Sequence, residues 1–309
     1  KRVAENGPAA SIEAVESGLA AQGYIARRQI ATAVYLAQQI EKPILVEGPA
    51  GVGKTELAKA LSRGLGRELI RLQCYEGLDE AKALYEWEYA KQLLYTQIVR
   101  EMIRETMEGA RTLTEAVDRI ADQADAFFSE RFLLPRPLLK AISNPEPVVL
   151  LIDEVDKSDP EFEAFLLELL SDFQVTIPEL GTRQAVHRPF VLLTSNAFRD
   201  MSDALKRRCI HLYIDYPGAA TEREIVRRRT PELPDRLADQ MVAAMACIRR
   251  LDLKKKPSIS ETLDWAHAVI NLQVDTLSQE AVLATLNVIC KYREDAQRVH
   301  ADVGHVVAG

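Results

Sequence analysis

Apolar positions in the first quarter of the chain alternate between helical spacing and short continuous runs. The predicted elements, in chain order, are a helix over 25–40, a strand over 44–46, a glycine-rich turn over 48–53, a helix over 54–65 and a strand over 69–72. The break between the first helix and its strand falls at Lys42-Pro43, where proline cannot continue a helix. Strands separated by helices of this length predict parallel pairing.

Residues 76–131 interrupt this alternation with a long, charged, helical pattern, which we interpret as an insertion. The alternation resumes at 148–152, a run apolar on both faces, as expected of a central parallel strand. The later predicted elements are a helix capped by Asp159-Pro160 and reaching about Leu170, a hairpin over 173–188, strands over 190–194 and 210–214, and helices beyond 217. The pattern therefore predicts an α/β fold. A three-layer core with a parallel sheet spans 1–217, with its insertion at about 76–131 and its hairpin at about 173–188, and a small all-α lid domain spans 218–309.

Composition narrows the function classes. With 46 Asp plus Glu against 39 Lys plus Arg, the net charge of −7 disfavours a surface that follows a nucleic acid, and no nucleic-acid partner is expected. The four cysteines have no metal-binding spacing, which argues against zinc or a disulfide framework. The most strongly apolar stretch, 148–152, is far shorter than the ~20 residues that span a bilayer, and no basic-then-apolar leader opens the chain. The cytoplasm is the expected compartment, with attachment to the periphery of the inner membrane through a partner as its variant.

Residues 48–55 fit the phosphate-loop pattern G-x-x-x-x-G-K-[ST] directly after a strand and at the start of a helix. Backbone N–H groups of such a loop and the helix N-terminus bind phosphate. Lys54 is expected to reach the β- and γ-phosphates of ATP, and the Thr55 hydroxyl to bind Mg²⁺. The predicted nucleotide contacts are Gly48, Pro49, Ala50, Gly51, Val52, Gly53, Lys54 and Thr55, together with Glu56, Tyr24 and Ile25.

Two acids end the strand predicted over 148–152. Asp153 is expected to bind Mg²⁺, and Glu154 to orient or deprotonate the attacking water. Asp156 and Lys157 just beyond are interpreted as surface or interface charges.

Asn196 and a pair of arginines are the remaining candidates. Asn196 follows the strand over 190–194, where its amide could position water against the γ-phosphate or simply cap a turn, and the two earlier motifs favour the first role. Arg207 and Arg208 precede the last strand. They either form surface ion pairs or supply an arginine that reaches the γ-phosphate of a neighbouring subunit, for which Arg208 is preferred and Arg207 is the alternative.

These motifs in this order resemble those of the AAA+ ATPases, and the finer pattern resembles the MoxR family. The stretches that carry the resemblance are the helical insertion, the hairpin before Asn196 and residues 153–182. Within that family, CYEGLDEAKALYEW at 74–87 and KPSISETLDW at 256–265 resemble the branch associated with carbon monoxide dehydrogenase maturation (CoxD-like).

The resemblance implies more than the residues alone do. It implies a homo-oligomeric ring, usually a hexamer, that uses ATP and Mg²⁺ and works with a partner carrying a von Willebrand factor A domain. It also implies a chaperone role in completing the metal cofactor of a client metalloenzyme, such as a molybdenum hydroxylase. It assigns Gly51, Gly53, Lys54 and Thr55 to the nucleotide, Asp153 and Glu154 to metal and water, Asn196 to the sensor-one role, and Arg207 or Arg208 to the arginine finger.

One departure from the family pattern concerns the lid. Many AAA+ proteins carry a sensor-two arginine at the fourth position of P-S-x-R, but here Pro257-Ser258-Ile259 is followed by Ser260. The sensor-two residue therefore stays unassigned.

Two other function classes remain open at this point. One is a DNA-processing or clamp-loader-like ATPase, which DNA-stimulated hydrolysis with a steep salt dependence would distinguish. The other is a scaffold whose assembly is switched by nucleotide, for which hydrolysis would not depend on any client.

Overall fold

The computed structural model describes residues 9–88, 133–177 and 181–308. The strands are β1 Ile44–Glu47, β2 Leu69–Gln73, β3 Tyr85–Trp87, β4 Leu133–Pro135, β5 Val149–Asp153, β6 Gln174–Ile177, β7 Gly181–Gln184, β8 Phe190–Ser195 and β9 Ile210–Tyr213. The helices of the first two thirds are α1 Ile12–Ala21, α2 Arg28–Ile40, α3 Lys54–Leu65, α4 Glu80–Leu84, α5 Pro137–Ser143, α6 Pro160–Asp172 and α7 Asp203–Arg208. The later helices are α8 Ala219–Arg229, α9 Asp235–Arg250, α10 Ile259–Asn271, α11 Gln279–Ala284, α12 Leu286–Ile289, α13 Arg293–Ala301 and α14 Val303–Ala308.

Five strands form the sheet in the order β2-β5-β8-β1-β9. Parallel registers join β2 to β5, β5 to β8, and β1 to β9. Every residue of β5 and β8 is buried, which explains why both strands are continuous apolar runs rather than alternating ones. The predicted α/β fold with a parallel sheet and a helical C-terminal region is confirmed.

The described chain divides into two compact units. The first comprises residues 9–66, 194–198 and 210–308, and the second comprises residues 67–88, 133–177, 181–193 and 199–209. The helices beyond 217 thus share a unit with the phosphate loop, and the boundary predicted near 217 stays a prediction.

Within the first unit, the helices from α8 onward enclose a core of their own. Its largest member is Trp265, which is fully buried and donates its indole N–H to the Thr285 hydroxyl at 2.8 Å. Two charged side chains of these helices are also paired, since Arg249 forms two hydrogen bonds to the buried carboxylate of Glu222. A core of this kind fits the helical spacing seen in the sequence.

Within the second unit, β6 and β7 pair antiparallel, as the hairpin interpretation predicts; residues 178–180 between them lie outside the described residues. The predicted insertion begins with α4 and an antiparallel pair, β3 and β4, so its described ends are not wholly helical. Its residues 89–132 lie outside the described part. Asp159 stands at the N-cap position of α6, but it makes no cap hydrogen bond and instead accepts the Gly77 N–H at 3.1 Å. The predicted N-cap position of Asp159 and the first-turn proline, Pro160, are confirmed.

No helix among the described residues is long and apolar enough to cross a bilayer.

Candidate functional site

The phosphate loop joins β1 to α3 and keeps the strand-loop-helix order predicted from the sequence. Glycine is required at its start, because a Cβ on Gly48 would lie 2.0 Å from the carbonyl oxygen of Ile214. Glycine is also required at position 51. Its φ of +75° is one that residues with a side chain rarely adopt, and a Cβ there would lie 2.0 Å from the Ser258 hydroxyl oxygen. The loop therefore packs directly against both the end of β9 and the residue before α10.

Lys54 is buried, with 6% of its surface exposed, and its ammonium lies among oxygen atoms. Lys54 Nζ donates to the carbonyl oxygens of Gly48 at 2.6 Å and Pro49 at 2.7 Å, and to Asn196 Oδ1 at 2.8 Å. The structure thus brings together Lys54 and Asn196, two candidate residues that lie 142 positions apart in the sequence. These three oxygens use the three donors of the ammonium, so an anion bound at the loop forms a charge-assisted hydrogen bond with Lys54 by replacing one of them.

A cavity of about 490 Å³ opens beside the loop within the first unit. Residues 51–53 and Glu56 line it, and Tyr24 and Ile25, both predicted from the sequence, line it as well. Its volume falls in the range of small-molecule sites. Burial in this wall raises the pKa of Tyr24, so its hydroxyl stays neutral.

The lid helices supply a wall that sequence reasoning missed. The cavity-lining residues of α8 are Thr221, Ile225 and Arg229, and those of α10 are Ile259, Ser260, Leu263, Asp264 and His267. Each set follows a spacing of three or four residues, which marks one face of a helix. That spacing was readable in the sequence, but it does not reveal what the face covers.

Ser258 fixes the start of α10 where it meets the loop. Its backbone N–H and its hydroxyl both donate to the Glu261 carboxylate, and its hydroxyl accepts the Ser260 N–H at 3.2 Å. Burial acts to raise the pKa of Glu261, but the hydrogen bonds from Ser258 outweigh it and hold that pKa below its usual range. The capping box therefore keeps the Ser258 side chain in the place where a Cβ at position 51 would go.

Asp153 and Glu154, at the end of β5, are held by side chains of the neighbouring strand β2. Asp153 is 3% exposed and its Oδ2 accepts from Arg71 Nε at 3.0 Å and Nη2 at 2.6 Å. Glu154 Oε2 accepts from Gln73 Nε2 at 2.9 Å. Sequence reasoning did not identify Arg71 or Gln73, although their alternation with buried residues in β2 placed both on one face.

The two charges that follow the acid pair differ from each other. Lys157 Nζ donates to Glu154 Oε2 at 2.6 Å, and this hydrogen bond raises the pKa of Lys157. Lys157 is exposed, as predicted. Asp156 is only 2% exposed, so its interpretation as a surface charge was wrong.

The two candidate arginines end α7 in different surroundings. Arg208 Nε donates to the Ser171 hydroxyl of α6 at 2.6 Å, and its Nη1 donates to the Ala204 carbonyl at 3.4 Å. Arg207 is exposed, and its guanidinium has no hydrogen bond or ion pair with any residue in the described ranges. Arg208 is therefore tied to its own chain, whereas Arg207 is open to solvent.

A family model described as AAA domain (dynein-related subfamily) matches residues 43–209, more than half of the 309 residues. The chain belongs to this AAA family. The match runs from the residue before β1 to the residue after α7, and so includes the phosphate loop, the acid pair, Asn196 and both arginines. The AAA part of the predicted resemblance is confirmed, and the MoxR and CoxD-like assignments stay predictions.

Individual relatives of this AAA chain are distant. The gas vesicle ATPase GvpN of Haloferax mediterranei is 25% identical over 224 residues, which cover 69% of this chain and 58% of that protein. The chain thus spans under two thirds of that relative's length. An uncharacterized protein of Staphylococcus aureus is 25% identical over 240 residues, 75% of this chain and 77% of the other. The RuvB Holliday junction branch migration motor of Thermotoga maritima aligns at 18% identity with a TM-score of 0.45, over 89% of this chain and 68% of that one.

The contact between the phosphate loop and Ser258 gives a prediction about the stability of the protein. Gly51→Ala should destabilise the protein by more than the ~1–2 kcal/mol of left-handed backbone strain, because its methyl collides with the Ser258 side chain. Adding Ser258→Gly should recover the part due to the collision, since glycine at an N-cap costs only a few tenths of a kcal/mol. Urea unfolding of the single and double variants measures both effects.

Ser260→Gly is the matched control, because the Ser260 hydroxyl lies 3.3 Å from the same Cβ position and its removal relieves little. Equal recovery by Ser258→Gly and Ser260→Gly, or none by either, would contradict the contact.

Proposed function

We propose that this chain binds ATP with Mg²⁺ and hydrolyses it to ADP and phosphate. The observation that carries the proposal is the Lys54 ammonium, held at the phosphate loop by two loop carbonyls and Asn196, beside a cavity of nucleotide size. Membership of the AAA family supports the same activity. The gas vesicle relative is named as an ATPase, which agrees with this proposal.

The proposed roles follow from the chemistry of each side chain. Lys54 neutralises charge on the β- and γ-phosphates, and Asn196, hydrogen-bonded to Lys54, positions the water that attacks the γ-phosphorus. Glu154 accepts a proton from that water as the new P–O bond forms and the bond to ADP breaks.

Mg²⁺ fits the oxygen donors assigned to it. The Thr55 hydroxyl and the Asp153 carboxylate are hard ligands of the kind that Mg²⁺ prefers, and Mg²⁺ usually takes only one or two carboxylates along with substrate phosphates and water. When bound, the ion supplies positive charge that stabilises the transferring phosphoryl group. Arg71 holds the Asp153 carboxylate through one oxygen, which orients it for such a role.

The first test separates binding from turnover. Lys54→Ala should abolish nucleotide binding, because Lys54 contacts phosphates in the ground state. Glu154→Gln should retain binding but stop hydrolysis, because Glu154 acts only as the reaction proceeds. A fluorescent ATP analogue measures binding and phosphate release measures turnover. Equal loss of binding in both variants would count against the assignment of Glu154.

The second test asks which arginine acts across a subunit boundary. An arginine finger contributes about 10³ to 10⁵ in rate, far more than a surface ion pair. Arg208 is the sequence-based preference, but its hydrogen bond to Ser171 gives it a place within its own chain, so Arg207→Ala and Arg208→Ala are compared directly. Alanine in place of the arginine that acts as the finger should lower the hydrolysis rate by about 10³ to 10⁵. Mixing that variant with Lys54→Ala subunits should restore some hydrolysis.

Recovery is expected because each Lys54→Ala subunit offers an intact arginine to a neighbour that still binds ATP. The composition of the mixed rings is confirmed by mass. If, for both arginine variants, the mixed rings hydrolyse ATP no faster than rings of either component variant alone, the finger role fails for both residues.

For the biological role, we propose a remodelling chaperone that assists maturation of a client metalloenzyme, acting as a homo-oligomer, a hexameric ring, with a von Willebrand factor A domain partner in the cytoplasm. Its support is the resemblance of residues 153–182 to the MoxR family and of residues 74–87 and 256–265 to the CoxD-like branch. The hairpin β6–β7 is the proposed partner-facing element, since every residue of β7 is at least partly exposed.

This role predicts a selective effect at the hairpin. Substituting Glu179 and Leu180, which lie between β6 and β7 and outside the described residues, should leave basal hydrolysis nearly intact. Hydrolysis stimulated by the partner or client should weaken, because segments added to a scaffold tend to carry recognition. Variants that lose basal turnover and nucleotide binding together would instead assign the hairpin to the catalytic machinery.

A further inference from the structure

Glu56, in the first turn of α3, is a cavity-lining carboxylate, and within the described residues its hydrogen bonds are made through one of its two oxygens. Arg63 Nη2 at 3.1 Å and Arg229 Nη2 at 3.0 Å both donate to Glu56 Oε1. The other oxygen, Oε2, forms a solvent-exposed ion pair with Lys59 Nζ at 3.7 Å, which is beyond hydrogen-bond distance. Within the described residues, Oε2 therefore accepts no hydrogen bond.

The carboxylate forms an ion pair with each of the two arginines that donate to its Oε1. An ionised carboxylate only accepts hydrogen bonds, so a ligand group that pairs with Oε2 must be a donor. The two arginines fix the side chain before any ligand arrives, which lowers the entropic cost of using it.

The position of Glu56 along the cavity suggests which donor it meets. In the proposed function the triphosphate lies on residues 48–55, and the apolar wall that includes Tyr24, Ile25 and Leu263 suits a base. The sugar of a nucleotide joins these two parts. Glu56 is three residues beyond Gly53, within about 5 Å along the helix axis at ~1.5 Å per residue. Its carboxylate is thus next to the phosphate-binding end of the cavity, where the sugar follows the phosphates.

We propose that Glu56 accepts hydrogen bonds from the ribose hydroxyls of the bound nucleotide, so that the site selects ribonucleotides over deoxyribonucleotides. The inference rests on the proposed function, because it concerns the sugar of the same ATP. Carboxylates bind ribose hydroxyls in other nucleotide folds by the same chemistry. A lost hydrogen bond to a charged group weakens binding by about tenfold or more. Because Glu56 is partly exposed, we expect about tenfold.

The experiment compares four ligands on two proteins. Dissociation constants for ATP, 2′-deoxy-ATP, 3′-deoxy-ATP and 2′,3′-dideoxy-ATP are measured by displacement of a fluorescent ATP analogue from the wild-type protein and from Glu56→Ala. The wild type should bind ATP about tenfold more tightly than the dideoxy analogue, and Glu56→Ala should bind the two nearly equally. Removing Glu56 also leaves Arg63 and Arg229 without their carboxylate. That change in charge affects all four triphosphates alike and cancels in the ratio.

Two further variants make the assignment specific. Glu224→Ala is the matched control, because Glu224 is also a glutamate paired to an α8 arginine, Arg228, but it does not line the cavity. It should keep the wild-type preference. Asp264→Asn tests a competing carboxylate on α10, since Asp264 lines the cavity as well. Loss of the preference in Asp264→Asn but not in Glu56→Ala would overturn the proposal.

The outcomes separate this inference from the function on which it rests. Wild-type protein that binds neither ATP nor its analogues overturns both. Wild-type protein that binds ATP and dideoxy-ATP equally overturns ribose selection and leaves ATP binding intact, and this comparison needs no variant to fold. A preference that persists in Glu56→Ala also overturns the role of Glu56.

Discussion

The buried ammonium of Lys54 is the constraint on which the phosphate loop depends. A lysine with 6% of its surface exposed remains charged only if oxygen atoms replace the water it has lost. The carbonyls of Gly48 and Pro49 and the amide of Asn196 supply those oxygens between 2.6 and 2.8 Å. The loop must therefore turn its first carbonyls toward the start of α3, and the chain leaving β8 must bring Asn196 to the same point.

In the helical region, a partly buried cation, Arg249, is likewise surrounded by oxygen atoms. Arg249 donates to both carboxylate oxygens of Glu222, which is 1% exposed, and its Nε donates to the Pro257 carbonyl at 2.8 Å. Its guanidinium also lies 5.3 Å from the ring centroid of Tyr216, in the segment that leads into α8. Removing Arg249 would leave the buried Glu222 carboxylate uncompensated, so the pair is costly to break. Through Pro257 it fixes the residue before Ser258, and hence the segment that meets the phosphate loop.

The sequence predicts best where the chemistry is local along the chain. The phosphate loop, the acid pair and the strands around them are contiguous patterns, and each was located to within a few residues because periodicity and glycine placement are short-range signals. The contacts of Glu154 with Gln73, 81 positions away, and of Arg208 with Ser171, 37 positions away, depend on which elements become neighbours. One-dimensional spacing does not carry that information. The misassigned Asp156 has the same origin, because a charge next to a strand end is exposed or buried according to what packs over it.

The absence of an arginine at position 260 can be interpreted from the contacts that the helical region makes. An arginine at position 260 would bring a charge to the phosphates, and its attraction would act over several ångströms and weaken with salt. In this protein, Ser258 instead packs against Gly51. This contact is steric, so it acts only when the phosphate loop and the start of α10 have their observed shapes. Among the described residues, the arginines that line the cavity are Arg27 and Arg229, which lie outside α10. Arg27 donates to the Tyr216 carbonyl at 3.0 Å and Arg229 to Glu56, so each links two segments around the cavity. Shape complementarity is therefore supplied by the start of α10, and charge by Arg229 on α8 and by Arg27 at the start of α2. A change in the phosphate loop would reach α10 through packing and α8 through the Glu56 ion pair.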